Sequence, residues 1–480
     1  MLRVFRLSQV LAVLALFLFV LGLPPRVCWA QAGTLDPSFG TGGKVVTPFG
    51  PLDEWAWSMA IQADGKIVVA GRSNAGGTHD FALARYNADG SLDTSFDNDG
   101  KVTTDIKVGL NDRALSMAIQ ADGKIVAAGL SLVDSTNVAN VAFALVRYNT
   151  NGSLDTSFDP VDADGKVITD FGSLNDTANS VAIQADGKIV AAGLTFLSGT
   201  NVAFALVRYN TNGSLDTSFD ADGKVITDFG SLNDTAYSVA IQGDGKIVAA
   251  GRGRVGGTTD YALARYNADG SLDTSFDGDG KVTIDFAGKL DEALSVAIQA
   301  DGRIVVAGYA YFEGTGNDIA LVRYNADGRL DDTFGTGGVV TTDFYGLEDF
   351  AAGMAIQGNG RIVVAGAAKA ATVSGDYLDL ALARYIGVPP QEEIAFIIDD
   401  IQDLVVSGSL NKGQGNGLVV KLQAAIRQLE RGNEGAAVNQ LGAFANQVNA
   451  FMRAGILTPE EGHPLISAAL ATIDTINAGL

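Results

Sequence analysis

The sequence predicts an all-β six-bladed β-propeller with four antiparallel strands per blade, followed by a small all-α helical bundle. Three observations carry this. A block of about sixty residues recurs along the chain, the period of a repeat architecture. Each block holds short apolar runs separated by Asp-Gly and Gly-rich turns. After Tyr385 the apolar spacing changes from the alternation of strands to the period of about 3.6 of helices.

Three anchors fix the register. The Leu of an L-D pair falls at Leu35, Leu92, Leu154, Leu215, Leu272 and Leu330. The Ile of A-I-Q falls at Ile61, Ile119, Ile183, Ile241, Ile298 and Ile356, and the Tyr of R-Y at Tyr86, Tyr148, Tyr209, Tyr266, Tyr324 and Tyr385. Each anchor counts six units.

In the first unit, Ser58-Met59-Ala60-Ile61-Gln62 and Lys66-Ile67-Val68-Val69-Ala70-Gly71 are joined through Ala63-Asp64-Gly65, and Asp-Gly between apolar runs signals a hairpin. The second run is almost wholly apolar and rich in β-branched residues, as suits a strand buried on both faces. A third strand, Phe81 to Tyr86, ends at a second turn, Asp89-Gly90, and a fourth spans Lys101 to Asp105. Four strands that are apolar on both sheet faces describe a propeller blade, whereas a solenoid would need one short coil per repeat. The chain opens with a fourth-strand segment, Lys44-Val45-Val46-Thr47, and its last repeat stops at Tyr385 after a third strand. The N-terminal strand is therefore expected to complete the last blade and close the ring, which would remove the sheet edges.

The L-D-x-S-F and A-I-Q-x-D-G-K-I-V-x-A-G…A-L-x-R-Y pattern, from Leu35 to Tyr385, resembles the delta-60 repeat of secreted bacterial β-propeller proteins. The resemblance implies fold and export and brings no chemistry with it. It places the propeller at residues 35–386 and a Pro-containing linker at 387–391, leaving 392–480 as a helical domain of roughly four helices. There, Leu418, Leu422, Ala425, Ile426 and Leu429 share one helical face, as do Val438, Leu441, Ala445, Val448 and Met452. The last helix opens on Thr458-Pro459-Glu460-Glu461, a capping box with Pro at the first helical position. The stretch from Leu441 to Phe451, followed by Ala454-Gly455-Ile456-Leu457-Thr458, is similar to the FIMAH domain that ends many secreted microbial proteins, although Ala445 and Asn446 stand where Ile and His are expected.

Residues 1–30 read as a secretory signal peptide: Arg3 and Arg6, an apolar run from Val10 to Leu23, and a small-residue end at Cys28-Trp29-Ala30, with cleavage after Ala30. This implies a protein that is secreted or displayed at the cell surface. Cleavage removes the one Cys and three Arg, moving the formal net charge from −22 to −25. Such a field disfavours nucleic acid and anionic membranes as partners. No second apolar run is long enough to span a bilayer.

The sequence offers no catalytic constellation. Its two His, His79 and His463, lack companion metal ligands and any nucleophile-elbow motif, so neither a zinc site nor a Ser-His-Asp triad is assigned. The repeated Arg85, Arg147, Arg208, Arg265, Arg323 and Arg384 read as structural partners of repeated Asp residues such as Asp36 and Asp93. The D-x-D-G loops, with Asp97 and Asp99 in the second copy, suggest calcium, but Gly40-Thr41-Gly42-Gly43 and Gly335-Thr336-Gly337-Gly338 stand in two other copies. Gly suits a turn and not a metal ligand, so turn chemistry is favoured and weak surface calcium stays open. No metal or other cofactor is assigned.

What repeats builds the wheel, so ligand contacts are sought where the symmetry breaks. The loops between second and third strands and the crossovers between blades vary and share one face, while the Asp-Gly turns lie on the other. On the variable face stand Trp55 and Trp57, together with Tyr309, Tyr311 and Phe312, aromatic platforms for a glycan or a protein partner. Packing of Trp57 and one fifth-copy aromatic between blades is the competing expectation. The sequons at Asn151, Asn175, Asn212 and Asn233 lie in repeated turns and read as turn residues. The functional expectation is a non-enzymatic binding or scaffolding platform; the alternatives are a polysaccharide-active hydrolase or lyase, marked by clustered carboxylates near the central channel, and a purely structural surface protein.

Overall fold

A computed structural model describes residues 39–479 apart from 42–43, 51–53, 134–139, 174, 199–200, 231–232, 287, 358–359 and 373–374. The leader, Leu35 and Asp36 lie outside the described residues.

Six antiparallel sheets follow one another along the chain. Blade one is β1 (Glu54–Ile61), β2 (Ile67–Ser73), β3 (Asp80–Tyr86) and β4 (Lys101–Thr104). Blade two is β5 (Asp112–Ile119), β6 (Ile125–Leu132), β7 (Val141–Tyr148) and β8 (Lys166–Thr169). Blade three is β9 (Thr177–Ile183), β10 (Ile189–Ser198), β11 (Asn201–Tyr209) and β12 (Lys224–Thr227). Blade four is β13 (Thr235–Ile241), β14 (Ile247–Val255), β15 (Thr258–Tyr266) and β16 (Lys281–Ile284). Blade five is β17 (Asp291–Ile298), β18 (Ile304–Phe312), β19 (Gly316–Tyr324) and β20 (Val339–Thr342). Blade six is β21 (Asp349–Ile356), β22 (Ile362–Thr372) and β23 (Gly375–Tyr385).

First strands lie against first strands, β5 on β1 and β9, and β17 on β13 and β21, so they line the axis. The fourth strands pair only with the third strand of their own sheet and lie outermost. Second and third strands are sandwiched between neighbouring blades, which explains their unbroken apolar composition: Val126, Ala128, Phe143 and Leu145 form one buried cluster with Ala178, Ile189 and Ala205 of the next blade.

Every first strand carries a β-bulge after its second or third residue, for example between Ala236 and Ser238 of β13. The bulge brings the opposite backbone close, and the invariant Gly of the V-x-A-G motif accommodates it. At Gly251 an added Cβ would stand 1.9 Å from the Thr235 carbonyl oxygen.

In the first five blades the repeated Arg binds three elements at once. Arg208 Nε donates to Asp216 Oδ2 at 2.7 Å, Nη2 to Ser218, and Nη1 to the Ala268 carbonyl in the next blade's turn. Asp216 also meets Lys188 at 2.9 Å. Burial alone would raise the Asp216 carboxyl, but hydrogen bonds from Lys188 and Ser218 and the Arg208 charge overcome it and hold the group well below the usual carboxylate range. Arg85–Asp93, Arg147–Asp155, Arg265–Asp273 and Arg323–Asp331 repeat the pair. Arg384 is exposed and has no such partner among the described residues.

Ring closure differs from expectation. The segment after Phe39 does occupy the place of a preceding blade's outer strand, on three equivalences. The Gly40 amide donates to Asp89 O as Asp97 does to Asn151 O; Tyr86 Oη donates to Thr47 as Tyr148 does to Thr104; and Lys101 sits over Phe49 as Lys224 does over Phe171. Among the described residues, however, it pairs with no strand of blade six, and that sheet has three strands. Both ends of the array stay uncovered. Met59 of β1 is 65% exposed where its counterpart Met117 is 7% exposed, and Leu380 of β23 is 92% exposed. The hydrogen bonds and ring contacts of the segment's described residues to other elements are with blade one, which it caps.

The helical domain comprises α1 (Pro390–Val406), α2 (Lys412–Leu429), α3 (Glu434–Arg453) and α4 (Pro459–Gly479) around Ile397, Leu418, Leu441, Phe444 and Leu465. The Thr458 amide donates to Glu461 and the Glu461 amide to Thr458, which completes the expected capping box. Among the described residues no helix is long and apolar enough to cross a membrane. The domain is fastened to the propeller by Arg361 of blade six, which donates to the Ala471 carbonyl and Thr475 and lies 3.3 Å from Glu393. Gly387 continues the repeat register: Arg323 donates to its carbonyl, which stands where Ala326 accepts from Arg265.

Candidate functional site

The extra residue of each bulge lies on the innermost strand and varies from repeat to repeat: Trp57, Leu115, Asn179, Tyr237, Leu294 and Ala352. The residue after the Gly on the second strand lies beside it. In blades one and four this pair is an arginine over an aromatic ring. Arg72 sits 5.6 Å from the Trp57 centroid, and Arg252 sits 5.8 Å from that of Tyr237. Each Nε is buried and without a hydrogen-bond partner among the described residues, as is that of Arg113 on β5. Burial, and then the charge of Arg72, lowers the pKa of Arg113, which marks the two guanidinium groups as neighbours.

Trp55 and Trp57 stack with centroids 6.3 Å apart and planes 18° apart. Their exposures have different causes. Trp55 is 58% exposed, yet its counterparts Thr177, Thr235 and Glu292 are buried, so its exposure reports the uncovered face of blade one. It lines a cavity of about 470 Å³ there with Phe49, Met59, Val69 and Arg72. Trp57 occupies the bulge position, which is part-exposed in every blade.

The fifth-copy aromatics are less open. Tyr309 meets Phe350 of β21 edge-on at 5.1 Å, Phe312 packs on the core between blades four and five, and Tyr311 is half-buried with its amide donating to Asp291. No ring contact among the described residues links them to the tryptophans. Tyr309 instead joins a cluster that sequence reading missed. Arg252 pairs with the buried Glu292 at 2.5 Å, and burial followed by Glu292 raises the Tyr309 hydroxyl pKa. The same two causes push Tyr237 up to about 12.

The D-x-D-G loops form turns. Asp99 Oδ1 accepts from the Lys101 amide at 2.9 Å, and Asp164, Asp222 and Asp279 do the same for Lys166, Lys224 and Lys281. Asn151 and Asn212 likewise accept from Ser153 and Ser214. His79 bonds to Asn111.

A second carboxylate pattern was not anticipated. Asp80, Asp105 and Asp112 meet at the boundary of blades one and two, with oxygens within 4.8 Å of one another. Asp260, Asp285 and Asp291 repeat this between blades four and five, as do Asp318, Asp343 and Asp349 between blades five and six. The signal was available: Asp80, Asp260 and Asp318 all stand six residues before the Tyr of R-Y.

A family profile for a domain of unknown function, the DUF5122 beta-propeller, matches residues 62–96, 120–158, 184–219, 242–276 and 299–334, and a FIMAH domain profile matches 394–474. The chain carries DUF5122 β-propeller repeats and a C-terminal FIMAH domain. No curated protein matches it. Among solved structures, a Dyadobacter fermentans protein of unknown function is similar at 11% identity, covering 69% of this chain and 94% of that one, with a TM-score of 0.40. A PL25 ulvan lyase bound to a glucuronate-rhamnose sulfate ligand is 12% identical over 68% of this chain and 80% of its own, with a TM-score of 0.37. The polysaccharide lyase Uly1 is 12% identical over 76% and 86%, with a TM-score of 0.35.

Proposed function

We propose that this DUF5122 propeller is a secreted, non-enzymatic binding platform whose axial mouth takes an anionic glycan. The observation that carries the reading is the arginine-over-aromatic pair at the bulge of blades one and four, Arg72 with Trp57 and Arg252 with Tyr237. An aromatic face stacks on a sugar ring, and a guanidinium whose Nε–H has no partner among the described residues can donate to a carboxylate or sulfate. Trp55 widens the platform in blade one. These local cations stand out against a formal net charge of −22, which otherwise repels acidic polymers. Export follows from the charged, apolar and small-residue sections of residues 1–30.

The lyase or hydrolase alternative finds less support at this mouth. A lyase base of the phenolate kind needs a lowered tyrosine pKa, whereas Tyr237 and Tyr309 are both raised. Glu292 is held by Arg252 and is not poised as a general acid.

The test is thermal shift and calorimetry of the leader-free protein with polygalacturonate, chondroitin sulfate and neutral dextran. An acidic polymer should raise the melting temperature and dextran should not. The double variant Arg72→Leu/Arg252→Leu should abolish the shift. The reading fails if no acidic polymer binds, if the double variant binds as well as the parent, or if unsaturated or reducing ends accumulate.

A further inference from the structure

We propose that calcium ions sit between blades, held by the carboxylate trio Asp318, Asp343 and Asp349 and by its two repeats at the boundaries of blades four and five and of blades one and two. In each trio one Asp lies within the first three residues of a third strand, one follows the fourth strand, and one opens the next blade's first strand. An ion there would tie the crossover to both sheets.

Geometry and unsatisfied groups both point to a cation. Calcium oxygens lie at about 2.3–2.6 Å, so two ligands on one ion stand no more than about 5 Å apart, and each trio meets that limit in every pair. The carboxylates are already committed on one side. Asp349 Oδ2 accepts from the Phe344 amide at 2.7 Å, and Asp318 Oδ2 accepts from Thr315 at 3.0 Å. The remaining oxygens Asp318 Oδ1 and Asp260 Oδ1 are buried and have no hydrogen-bond partner among the described residues. Asp349 is 0% exposed, Asp318 7% and Asp260 4%. Buried carboxylate oxygens left without donors are costly unless a cation joins them.

The chain supplies its own control. At the boundary of blades two and three the third-strand position is Ala142, and no trio forms. There Asp176 Oδ1 accepts from Ser173 at 2.5 Å and from Thr195 at 2.6 Å. Where the third carboxylate is lost, two hydroxyl donors satisfy this Asp176 oxygen. All-oxygen, all-carboxylate donors select a hard divalent ion, and the spread of these oxygens suits calcium over the smaller magnesium.

The experiment is calcium titration of the full leader-free chain after chelation, read by calorimetry and melting temperature. Three calcium ions should bind, raising the melting temperature, with magnesium weaker. Asp318→Asn should reduce the stoichiometry from three to two. Because it also removes one buried negative charge, it should raise the melting temperature in chelator, so loss of binding would not reflect misfolding. Ala142, which already lacks the carboxylate, offers Ala142→Val as a folding control that keeps three ions. The proposal is overturned if calcium neither binds nor shifts melting, or if folded Asp318→Asn still binds three ions.

Discussion

The hydroxyl of Tyr209 donates to Thr169 Oγ1 at 2.8 Å, reaching from the third strand of blade three to the fourth strand of blade two. Tyr86, Tyr148, Tyr266 and Tyr385 make the same bond to Thr47, Thr104, Thr227 and Thr342. At Tyr324 the threonine position is Ile284, and the buried hydroxyl has no partner among the described residues. Tyr209→Phe should therefore cost about 1 kcal/mol, whereas Tyr324→Phe should be neutral or stabilising, because it removes an unmet polar group. Paired denaturant titrations check this; equal losses at both sites would contradict it.

The Arg–Asp ladder makes the propeller acid-sensitive. The folded-state pKa values of Asp93, Asp155, Asp216 and Asp273 are all depressed, so their stabilisation is complete above the unfolded value of about 3.9 and drains as pH falls through the folded one. Asp216→Asn should cost about 3–5 kcal/mol near neutrality by stranding Arg208, and should flatten the loss of stability below pH 4. Melting temperature against pH for parent and variant measures both effects.

Two glycines of blade four separate close approach from turn freedom. Gly251→Ala drives a methyl into the Thr235 carbonyl and should cost about 4 kcal/mol or more. Gly243 has open space, and Ala stands at its position in the first repeat, so Gly243→Ala should stabilise by about 0.4–1 kcal/mol. Denaturation midpoints of the two variants should move in opposite directions.

The uncovered edge of blade six carries a different expectation. Leu380 and Leu382 point outward beside unpaired backbone, the arrangement that invites strand addition from another copy. Leu380→Lys/Leu382→Lys should raise the concentration at which light scattering reports a monomer, with little change in melting temperature.

The sequence made the strands, the Asp-Gly turns, the Arg–Asp pairs and the capping box at Thr458 legible, because each is set by residues close together or by strict repetition. It pointed to Trp57 through broken symmetry. It did not reveal that Trp55 owes its exposure to a blade face without a neighbour, because that depends on whether the ends of the array meet. Nor did it bring Asp318 to Asp349, or Arg252 to Glu292, since these contacts cross blade boundaries and depend on strand register. The turn bond in which Asp99 accepts from the Lys101 amide was predictable; the carboxylates that converge lay elsewhere in the same repeats.

The carbonyl of Gly387 has a practical meaning for dissecting the protein. Arg323 of blade five and Gln299 both donate to it, although sequence alone would end the repeats at Tyr385. A propeller cut after Tyr385 would take from Arg323 Nη1 and Gln299 the carbonyl they share and so understate the stability of the wheel by itself. Exchange of the helical domain between such proteins would succeed most readily downstream of Gly387, where the graft leaves the last internal clamp intact.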